Sequence, residues 1–592
     1  MILRKFNHPI FIASVLILAC LSIILNSVTL VSRSSRLNDA EAHFNLVSKK
    51  SKITSNGGTL PEVIKVNLSD VVGKINSNLL GSDGPGPSGN YPINLMKQIG
   101  IKWVRLDVGF ENSYNNIPDY NCATSTWNSL QFDQSVNAVK SEGARPLAII
   151  DYTPTCLASS TSGNPNYSVP NKNGWAKWDS LVYNFAIKEI PNGVKTFEVW
   201  NEPDGTFFTS GESNYLLLYN NTVVALEKAA DKLHQTILVG GPALSWWDPT
   251  WMQAFLKYVE DNNLPLNFLS WHWYADDPDF GPFYPTEPNG LCLFKTPTVG
   301  QIKSPCYYNP SLSSVIYKTQ VQYVSNMLKS YPRLHPILWI DEFNVNAGYD
   351  IRMNQSYDAA FVSSVFSLVN NFSNLRMAIY NATDTPNNPY GNWGLVTYPA
   401  EKPKPVYWAF YFWDLISGIN STASRVNSSV SIQNPTYYLQ NNTVKVMSNV
   451  EAIASKSSDS TNSNSVTYNI ELSNFIPYDP TGAYGQSGNL YTLNSSLNIS
   501  SIPAGTYRIE KYEISPSSST YSKQILGKTK QSSLNLTLKL PAESVVLVRL
   551  IKINSTSSNS FLYFVYLAIG TIAVILLGVT LFLFFKRKDR II

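Results

Sequence analysis

Two glutamates stand where apolar, strand-like runs of the sequence end. Glu202 follows the run TFEVW at 196–200, and Glu342 follows the run PILWID at 336–341. If both runs are buried parallel strands, the two carboxyl groups meet at one edge of a sheet, where close approach raises the pKa of one of them. Such a pair can cleave a glycosidic bond, because one carboxyl group protonates the leaving oxygen while the other attacks the anomeric carbon. The alternative is structural, with either glutamate capping a helix or pairing with an arginine.

The region from about 70 to 415 alternates short apolar runs with longer helical patterns. Helical periodicity is seen at 130–142, 175–189, 214–233 and 355–372. Strands that alternate with helices indicate a parallel sheet, and eight repeats over about 340 residues favour a closed (β/α)8 TIM barrel. An open doubly wound sheet is the competing fold, but no G-x-G-x-x-G follows the first strand. The predicted strands are 102–108, 145–151, 196–200, 236–240, 267–272, 336–341 and 377–381, with an earlier one near 73–80.

Beyond residue 420 the pattern changes to short alternating strands separated by Ser, Asn, Gly and Pro, as in SVTYNIELSNF and ESVVLVRLIKI. This alternation predicts a C-terminal β-sandwich. The fold class is therefore α/β, a TIM barrel followed by a β-sandwich, with hydrophobic membrane segments at the termini.

Both ends of the chain are strongly apolar. Phe561–Phe585 contains 25 residues without a charge, enough for a helix to cross a bilayer, and the basic tail at 586–592 indicates a cytoplasmic end. Near the N-terminus, Arg4 and Lys5 precede an apolar run from Ile10 to Val31, which is either a cleaved signal peptide or a retained anchor. We therefore expect a cell-membrane protein, single-pass or double-pass, whose body lies outside.

These patterns divide the chain of 592 residues into seven segments. They are a signal peptide or anchor (1–31), a linker and entry strand (32–69), the catalytic barrel (70–418), the β-sandwich (419–552), a tether (553–560), a transmembrane helix (561–585) and a tail (586–592).

Charge and cysteine content limit the function classes. The formal charge is +4, of which +2 lies in Arg4 and Lys5 and +3 in 586–590, so the rest of the chain carries about −1 and offers no basic surface to nucleic acid. Four cysteines lie in the body, consistent with two disulfides in an oxidising compartment, Cys292–Cys306 being the more local pairing; free thiols are the alternative. Their spacing does not support a zinc site.

Thirteen asparagines head an N-x-S/T sequon, the acceptor motif for N-glycosylation. This density predicts a glycoprotein at the cell surface. The sequon asparagines are Asn67, Asn166, Asn220, Asn354, Asn371, Asn381, Asn420, Asn427, Asn441, Asn494, Asn498, Asn535 and Asn554.

The motifs FEVWNEPDG (197–205), ILVGGPA (237–243), FLSWHWYA (268–275), LWIDEFN (338–344) and WGLVTYPAEKPKPVYWAF (393–410) occur in this order. Together they resemble glycoside hydrolase family 39 of clan A, which contains β-xylosidases and α-L-iduronidases. The resemblance extends from about 70 to 415, and a terminal β-sandwich also suits the family.

The resemblance implies a role for each candidate site residue. Glu202 looks like the acid/base and Glu342 like the nucleophile, while Asn201 would bind the sugar's 2-hydroxyl. Tyr274 would orient Glu342, His272 would contact the acid/base or the sugar, and Arg105 would hold Glu342 ionised from the second strand. Trp393 would stack on a sugar face, with core packing as the alternative.

The sequence thus predicts an extracellular, membrane-anchored retaining glycoside hydrolase that acts on a polysaccharide or surface glycan, β-xylosidase-like, with carbohydrate as its partner and without cofactor or metal. Two alternatives stay open. One is another clan A activity, such as a β-glucosidase, β-glucuronidase, arabinofuranosidase or endoglycanase. The other is a non-catalytic carbohydrate-binding surface protein. The sequence does not indicate the oligomeric state.

Overall fold

The structure is a computed structural model of the chain. It describes residues 62–84, 91–110, 120–275, 312–348, 350–385, 392–418, 423–431, 437–440, 443–446, 450–459, 462–475 and 492–553. The segments predicted at 1–31 and 561–585, and the pair Cys292–Cys306, lie outside these ranges. Within the described ranges, no helix is both long enough and apolar enough to cross a bilayer.

Eight parallel strands close into a barrel, which confirms the predicted (β/α)8 architecture. Consecutive barrel strands are neighbours, and the last strand returns to the first. Most of the strands are short and apolar, as expected for strands buried on both faces. In chain order they are β2 (Gly81–Asp83), β3 (Trp103–Asp107), β6 (Arg145–Ile150), β7 (Thr196–Val199), β8 (Leu238–Leu244), β9 (Phe268–Tyr274), β10 (Ile337–Asn344) and β11 (Leu375–Ile379).

Helices surround the barrel and bury their apolar faces against it. The helix predicted over 130–142 has these same bounds, and the other three predicted helices agree to within three residues at each end. The α-helices are α1 (Ile93–Gln98), α2 (Leu130–Glu142), α3 (Trp175–Asn192), α4 (Glu212–Leu233), α5 (Pro249–Asp261), α6 (Leu312–Met327), α7 (Ser356–Val369) and α8 (Pro405–Ser417).

The start of the described chain differs from the prediction. The first barrel strand is β2 at Gly81–Asp83 rather than near 73–80, and the long strand β1 (Glu62–Lys74) belongs to the other sheet. There β1 pairs antiparallel with β12 (Ser424–Val430) and parallel with β17 (Leu493–Ser500). The entry strand expected before residue 70 and the barrel start expected at 70 are corrected accordingly, because residues 62–74 complete the β-sandwich. The rest of the expected linker, 32–61, lies outside the described residues.

The β-rich unit is one nine-stranded sheet whose two halves enclose a common core. On β16 (Asn462–Asn474), Tyr468 and Ile470 point into this core, whereas Phe475 just beyond the strand packs on Tyr357 and Phe361 of α7. The half with β16 therefore covers the barrel, and the half with β12, β1, β17 and β20 (Leu534–Leu540) is the outer layer. The remaining strands of this sheet are β15 (Val450–Asp459), β18 (Thr506–Ile514), β19 (Ser522–Thr529) and β21 (Ser544–Ile553).

Two further pairs of strands lie outside both sheets. They are β4 (Tyr120–Asn121) with β5 (Thr126–Trp127), and β13 (Tyr437–Gln440) with β14 (Thr443–Val446). A disulfide joins Cys122, between β4 and β5, to Cys156, which follows β6. It cross-links the loops that leave the second and third barrel strands, on the face where the carboxyl ends of the strands open.

Aromatic side chains close the opposite end of the barrel. Trp103 and Trp339 meet edge to face with ring centroids 5.3 Å apart, and Phe268 packs on Trp339 at 5.2 Å. All three are buried. Because this floor excludes water, a polar side chain in the next layer of the barrel has to find its partners inside it.

Candidate active site

The strand β7 ends in a strained turn that carries Glu202. Trp200 and Glu202 have positive φ angles of 73° and 50°, in the left-handed region that residues other than glycine rarely adopt. Local contacts hold this turn: the Glu202 amide donates to Ala243 O at 2.9 Å, and the Trp200 indole donates to Phe207 O at 3.0 Å. Backbone strain of this kind is typical of functional sites.

A register shift in β10 brings two consecutive carboxylates into the barrel. The pairing of β10 with β9 steps from Ile340 opposite Trp271 to Glu342 opposite His272, so one extra residue is accommodated at Asp341. In a regular strand, neighbouring side chains point to opposite faces. Here both Asp341 and Glu342 are buried and both lie within 4 Å of Arg105. A β-bulge beside a site re-aims a side chain in this way.

Glu342 is held from both of its oxygens. Arg105 Nη1 donates to Oε1 at 2.6 Å, and the Tyr274 hydroxyl donates to Oε2 at 2.7 Å. His272 Nδ1 lies 3.5 Å from the same Oε2. The carboxyl group of Glu342 is thereby fixed in one orientation, with its side chain only 9% exposed.

Glu202 has a different environment. Its Oε1 lies 3.0 Å from His272 Nδ1, and its side chain is 16% exposed. Burial raises the pKa of Glu202 to about 7, although the charge of Arg105 acts to lower it. Burial also lowers the pKa of His272 to about 4. The imidazole is thus neutral near pH 7, and a single proton can be shared between the ring and the carboxyl group.

The two glutamates are close together. One oxygen of Glu202, one oxygen of Glu342 and a ring nitrogen of His272 all lie within 4.8 Å of one another. Three ligand atoms at this spacing could hold a cation. The spacing also matches carboxyl groups about 5–5.5 Å apart in glycosidases that form a covalent intermediate, rather than the 6.5–9.5 Å that leaves room for a water.

Arg105 is at the centre of the layer of side chains below Glu202 and Glu342 in the barrel. Its guanidinium lies within 4 Å of four buried carboxyl groups: Asp83, Glu198, Asp341 and Glu342. One cation does not balance four buried anions, so protons have to neutralise part of the cluster. Burial raises the pKa of Asp83 and of Asp341 well above the usual range. Burial acts in the same direction on Glu198, but the charge of Arg105 at 2.7 Å and the hydrogen bonds from Asp341 and Ser270 outweigh it, so the pKa of Glu198 is lowered.

Asn201 links the layer around Arg105 to the layer that contains Glu202 and Glu342. Its Oδ1 accepts a hydrogen bond from Arg105 Nη2 at 2.8 Å, and its Nδ2 is 3.5 Å from the Tyr152 hydroxyl. Asn201 remains partly exposed. The structure therefore brings together six of the seven predicted site residues: Arg105, Asn201, Glu202, His272, Tyr274 and Glu342.

Trp393 lies apart from these contacts. It is 7% exposed, its ring packs on Tyr380 at 5.3 Å, and its indole nitrogen donates to Ala347 O at 3.1 Å. Among the described contacts, none joins Trp393 to Glu202 or Glu342. Stacking of Trp393 on a sugar stays a prediction, and core packing accounts for the contacts seen.

Sequence reasoning did not identify the buried acids around Arg105. Glu198 lies at the centre of the apolar strand β7, and Asp341 directly precedes Glu342. A charge inside a buried run is itself a signal, because such a residue needs a partner. For Asp83, which ends a three-residue strand, the sequence offers no comparable pattern.

Comparison with known proteins identifies the family of this chain. The sequence profile described as "Glycosyl hydrolases family 39" matches residues 93–475, more than half of the chain. The chain belongs to this family. The family resemblance noted in the sequence is thereby confirmed, and the matched residues include both glutamates.

Two β-xylosidases are among the relatives. That of Geobacillus stearothermophilus is 25% identical over 352 residues, which cover 54% of this chain and 63% of the relative. That of Caldicellulosiruptor saccharolyticus is 27% identical over 190 residues, 30% of this chain and 38% of the relative. The match thus spans less than two thirds of either β-xylosidase.

Solved structures share the fold. A glucosidase from Croceicoccus marinus superposes with a TM-score of 0.60 at 17% identity, covering 84% of this chain and all of the other. A monomeric β-xylosidase from Caulobacter crescentus gives a TM-score of 0.55 at 17% identity, with 83% and 100% covered. At these identities the likeness is one of fold, barrel and β-rich domain together.

The distribution of protons around Arg105 predicts unequal effects for two conservative substitutions. Glu198→Gln removes a charged partner of a buried arginine, so we expect a loss of about 3–5 kcal/mol in unfolding free energy. Asp341→Asn replaces a protonated carboxyl group by an amide of the same shape, and we expect less than about 1 kcal/mol. Urea unfolding of both variants at pH 6 measures the difference. Equal losses would show that Asp341 is ionised.

The raised pKa of Glu202 predicts a pH-dependent gain from Glu202→Gln. The folded state keeps the Glu202 proton up to about pH 7, whereas the unfolded chain releases it near 4.5. The wild type therefore loses stability as pH rises through this window, and a glutamine does not. We expect the variant to be more stable by up to about 3 kcal/mol at pH 8 and equal at pH 4. The exposed Glu401 supplies the control, Glu401→Gln. A gain independent of pH would contradict the assignment.

Proposed function

We propose that this protein is a retaining glycoside hydrolase in which Glu342 is the nucleophile and Glu202 the acid/base. The observation that carries the proposal is a pair of carboxyl groups in opposite environments, with one oxygen of Glu202 within 4.8 Å of one oxygen of Glu342. Glu342 is bonded to a cation and a phenol, which suits an anionic nucleophile. Glu202 is desolvated and retains its proton to about pH 7, which suits a general acid.

Each residue of the site then has a defined task. The protonated Glu202 gives its proton to the glycosidic oxygen while a Glu342 oxygen attacks the anomeric carbon, forming a covalent glycosyl-enzyme. Water, deprotonated by the same Glu202, hydrolyses the intermediate in the second step. His272, neutral at 3.0 Å from Glu202, stabilises that carboxyl group in both protonation states. Tyr274 and Arg105 keep the attacking carboxylate oriented.

Asn201 is placed to bind substrate beside the nucleophile. Its Oδ1 is held by Arg105, which also binds Glu342, so a sugar hydroxyl bonded to Asn201 is positioned relative to the attacking oxygen. Hydrogen bonds to the 2-hydroxyl strengthen in the transition state of such reactions. Rigid placement of this kind lowers the entropic part of the activation free energy of the reaction.

We propose a β-xyloside or a related glycoside as the substrate. The two β-xylosidase relatives support a xylosyl group. The glucosidase and β-xylosidase neighbours share the fold only and do not select the sugar. Another clan A glycosidase activity is therefore the alternative, and the substrate panel below includes it.

We also propose that the enzyme acts outside the cell, anchored through Phe561–Phe585. The charge-free run, the basic residues that follow it and the thirteen sequons support this location. The Cys122–Cys156 disulfide supports it as well, because disulfides persist in oxidising compartments.

Removing the two carboxyl groups is expected to have different kinetic signatures. Glu342→Ala loses the nucleophile, so kcat on aryl glycosides should fall by at least about 10⁴-fold. Glu202→Ala should slow phenyl glycosides by about 10²–10⁴-fold but dinitrophenyl glycosides far less, because only the poor leaving group needs the proton. A panel of aryl xylosides, glucosides, glucuronides and arabinofuranosides measures this and identifies the sugar.

Circular dichroism of both variants shows whether they are folded. An undiminished rate in Glu342→Ala, or equal losses on both leaving groups in Glu202→Ala, would refute the assigned roles. Glycan binding by the folded wild type without turnover of the panel or of oligosaccharides would instead support a non-catalytic carbohydrate-binding protein.

Membrane topology predicts how the full chain responds to protease. In intact cells, we expect external protease to digest the barrel while an antibody epitope placed after Arg590 stays protected. Detergent lysis should expose that epitope. Protection of the barrel in intact cells would contradict the proposed location without affecting the catalytic assignment.

A further inference from the structure

Five sequon asparagines lie together on the outer layer of the β-sandwich. They come from four adjacent strands in the order β12, β1, β17 and β20. Asn67 lies directly opposite Asn427 across one strand pair, and Asn498 directly opposite Asn535 across another. We call this surface the sequon face, defined by Asn67, Asn427, Asn494, Asn498 and Asn535.

All five side chains point away from the protein. Along β17, Leu497 and Ile499 enter the sandwich core, and Asn494 and Asn498 alternate with such buried positions. The same alternation places Asn67 between Val66 and Leu68 on β1. The inner half of the sheet covers the barrel, and the sequon face is the outer surface of the other half. Both halves of the sheet therefore lie between the sequon face and the barrel.

The amide nitrogens on this face are available for modification. Within the part of the chain that the structure describes, the Nδ2 atoms of Asn67, Asn494, Asn498 and Asn535 donate no hydrogen bond. Asn427 Nδ2 donates to Asp70 at 2.7 Å. A glycosylated amide keeps one N–H, so this bond is compatible with modification. Oxygen contacts, such as Ser69 Oγ donating to Asn67 Oδ1 at 3.0 Å, leave the nitrogen free.

Two other sequons offer a contrast. Asn166 is 7% exposed in the loop after β6, and Asn381 is 3% exposed after β11. A glycan on either would have to displace packed side chains, so a folded chain should carry none there. Asn354, by contrast, is exposed on a barrel loop. The chain thus contains buried and exposed acceptors of the same motif.

We propose that the sequon face is an N-glycan coat. The acceptor nitrogen bonds to the anomeric carbon of an oligosaccharide donor activated as a lipid-linked diphosphate. The bond from that carbon to the diphosphate breaks, the diphosphate leaves, and Nδ2 releases one proton. The proposal rests on the extracellular location proposed above, but not on the catalytic assignment.

Such a coat addresses a liability of this sheet. β20 is an edge strand whose unpaired backbone groups can template pairing with another chain, and seven residues (Leu534–Leu540) are long enough to do so. Asn535 lies on this edge strand, and Asn498 lies on β17, the strand that pairs with it in the described part of the sheet. Bulky, hydrated glycans there would hinder edge-to-edge association while leaving the barrel open to substrate.

Site occupancy tests the proposal directly. The full chain is produced in cells with an N-glycosylation pathway, and amidase release in ¹⁸O water followed by peptide mass spectrometry marks each occupied asparagine. We expect occupancy at the exposed Asn427, Asn494 and Asn535 to exceed that at Asn166 and Asn381 by about tenfold or more. An occupied Asn354 with an unmodified sequon face would overturn the proposal.

Absence of glycan from every sequon would overturn it too, and the protease experiment above then shows whether export had also failed. A second measurement uses a variant with all five asparagines replaced by glutamine, beside Asn354→Gln as the matched control. We expect the fivefold variant alone to form more soluble oligomer by light scattering, with aryl glycoside hydrolysis unchanged. Equal association of the two proteins would refute the protective role of the coat.

Discussion

The site depends on one buried cation. Arg105 lies on the second barrel strand, in a layer closed below by Trp103 and Trp339, and its guanidinium contacts four carboxyl groups from three other strands. Without it, Glu198 and Glu342 would be unpaired charges in a dry interior, which is strongly destabilising. The same contacts orient the nucleophile and Asn201, so one interaction stabilises the barrel and organises its chemistry.

The two glutamates acquire opposite character from their surroundings. Glu342 shares Arg105 with the buried layer, whereas Glu202 lies on a turn with positive φ and contacts a neutral imidazole. Desolvation then favours the protonated form of Glu202. The different character of the two carboxyl groups therefore follows from the strand that each residue ends and from the neighbours which that strand supplies.

Much of the site was predictable because a parallel barrel gathers the carboxyl ends of its strands. That rule places Glu202, Glu342, His272 and Tyr274 together once the strands are found. It does not reveal the bulge that turns both Asp341 and Glu342 inward, since a regular strand would send them to opposite faces. Likewise β1 could not be assigned, because its partners lie several hundred residues later and its own sequence does not indicate which sheet it joins.

The position of β1 has a consequence for how the chain is made. Ser500 Oγ donates to Val66 O across 434 residues of sequence, so β1 cannot complete its pairing with β17 until residue 500 has been synthesised. During translation the barrel can close first, as domains generally fold in order of synthesis. The β-sandwich is then the last unit to form, and its unpaired N-terminal strand is the segment most in need of protection by a chaperone until β12 and β17 emerge.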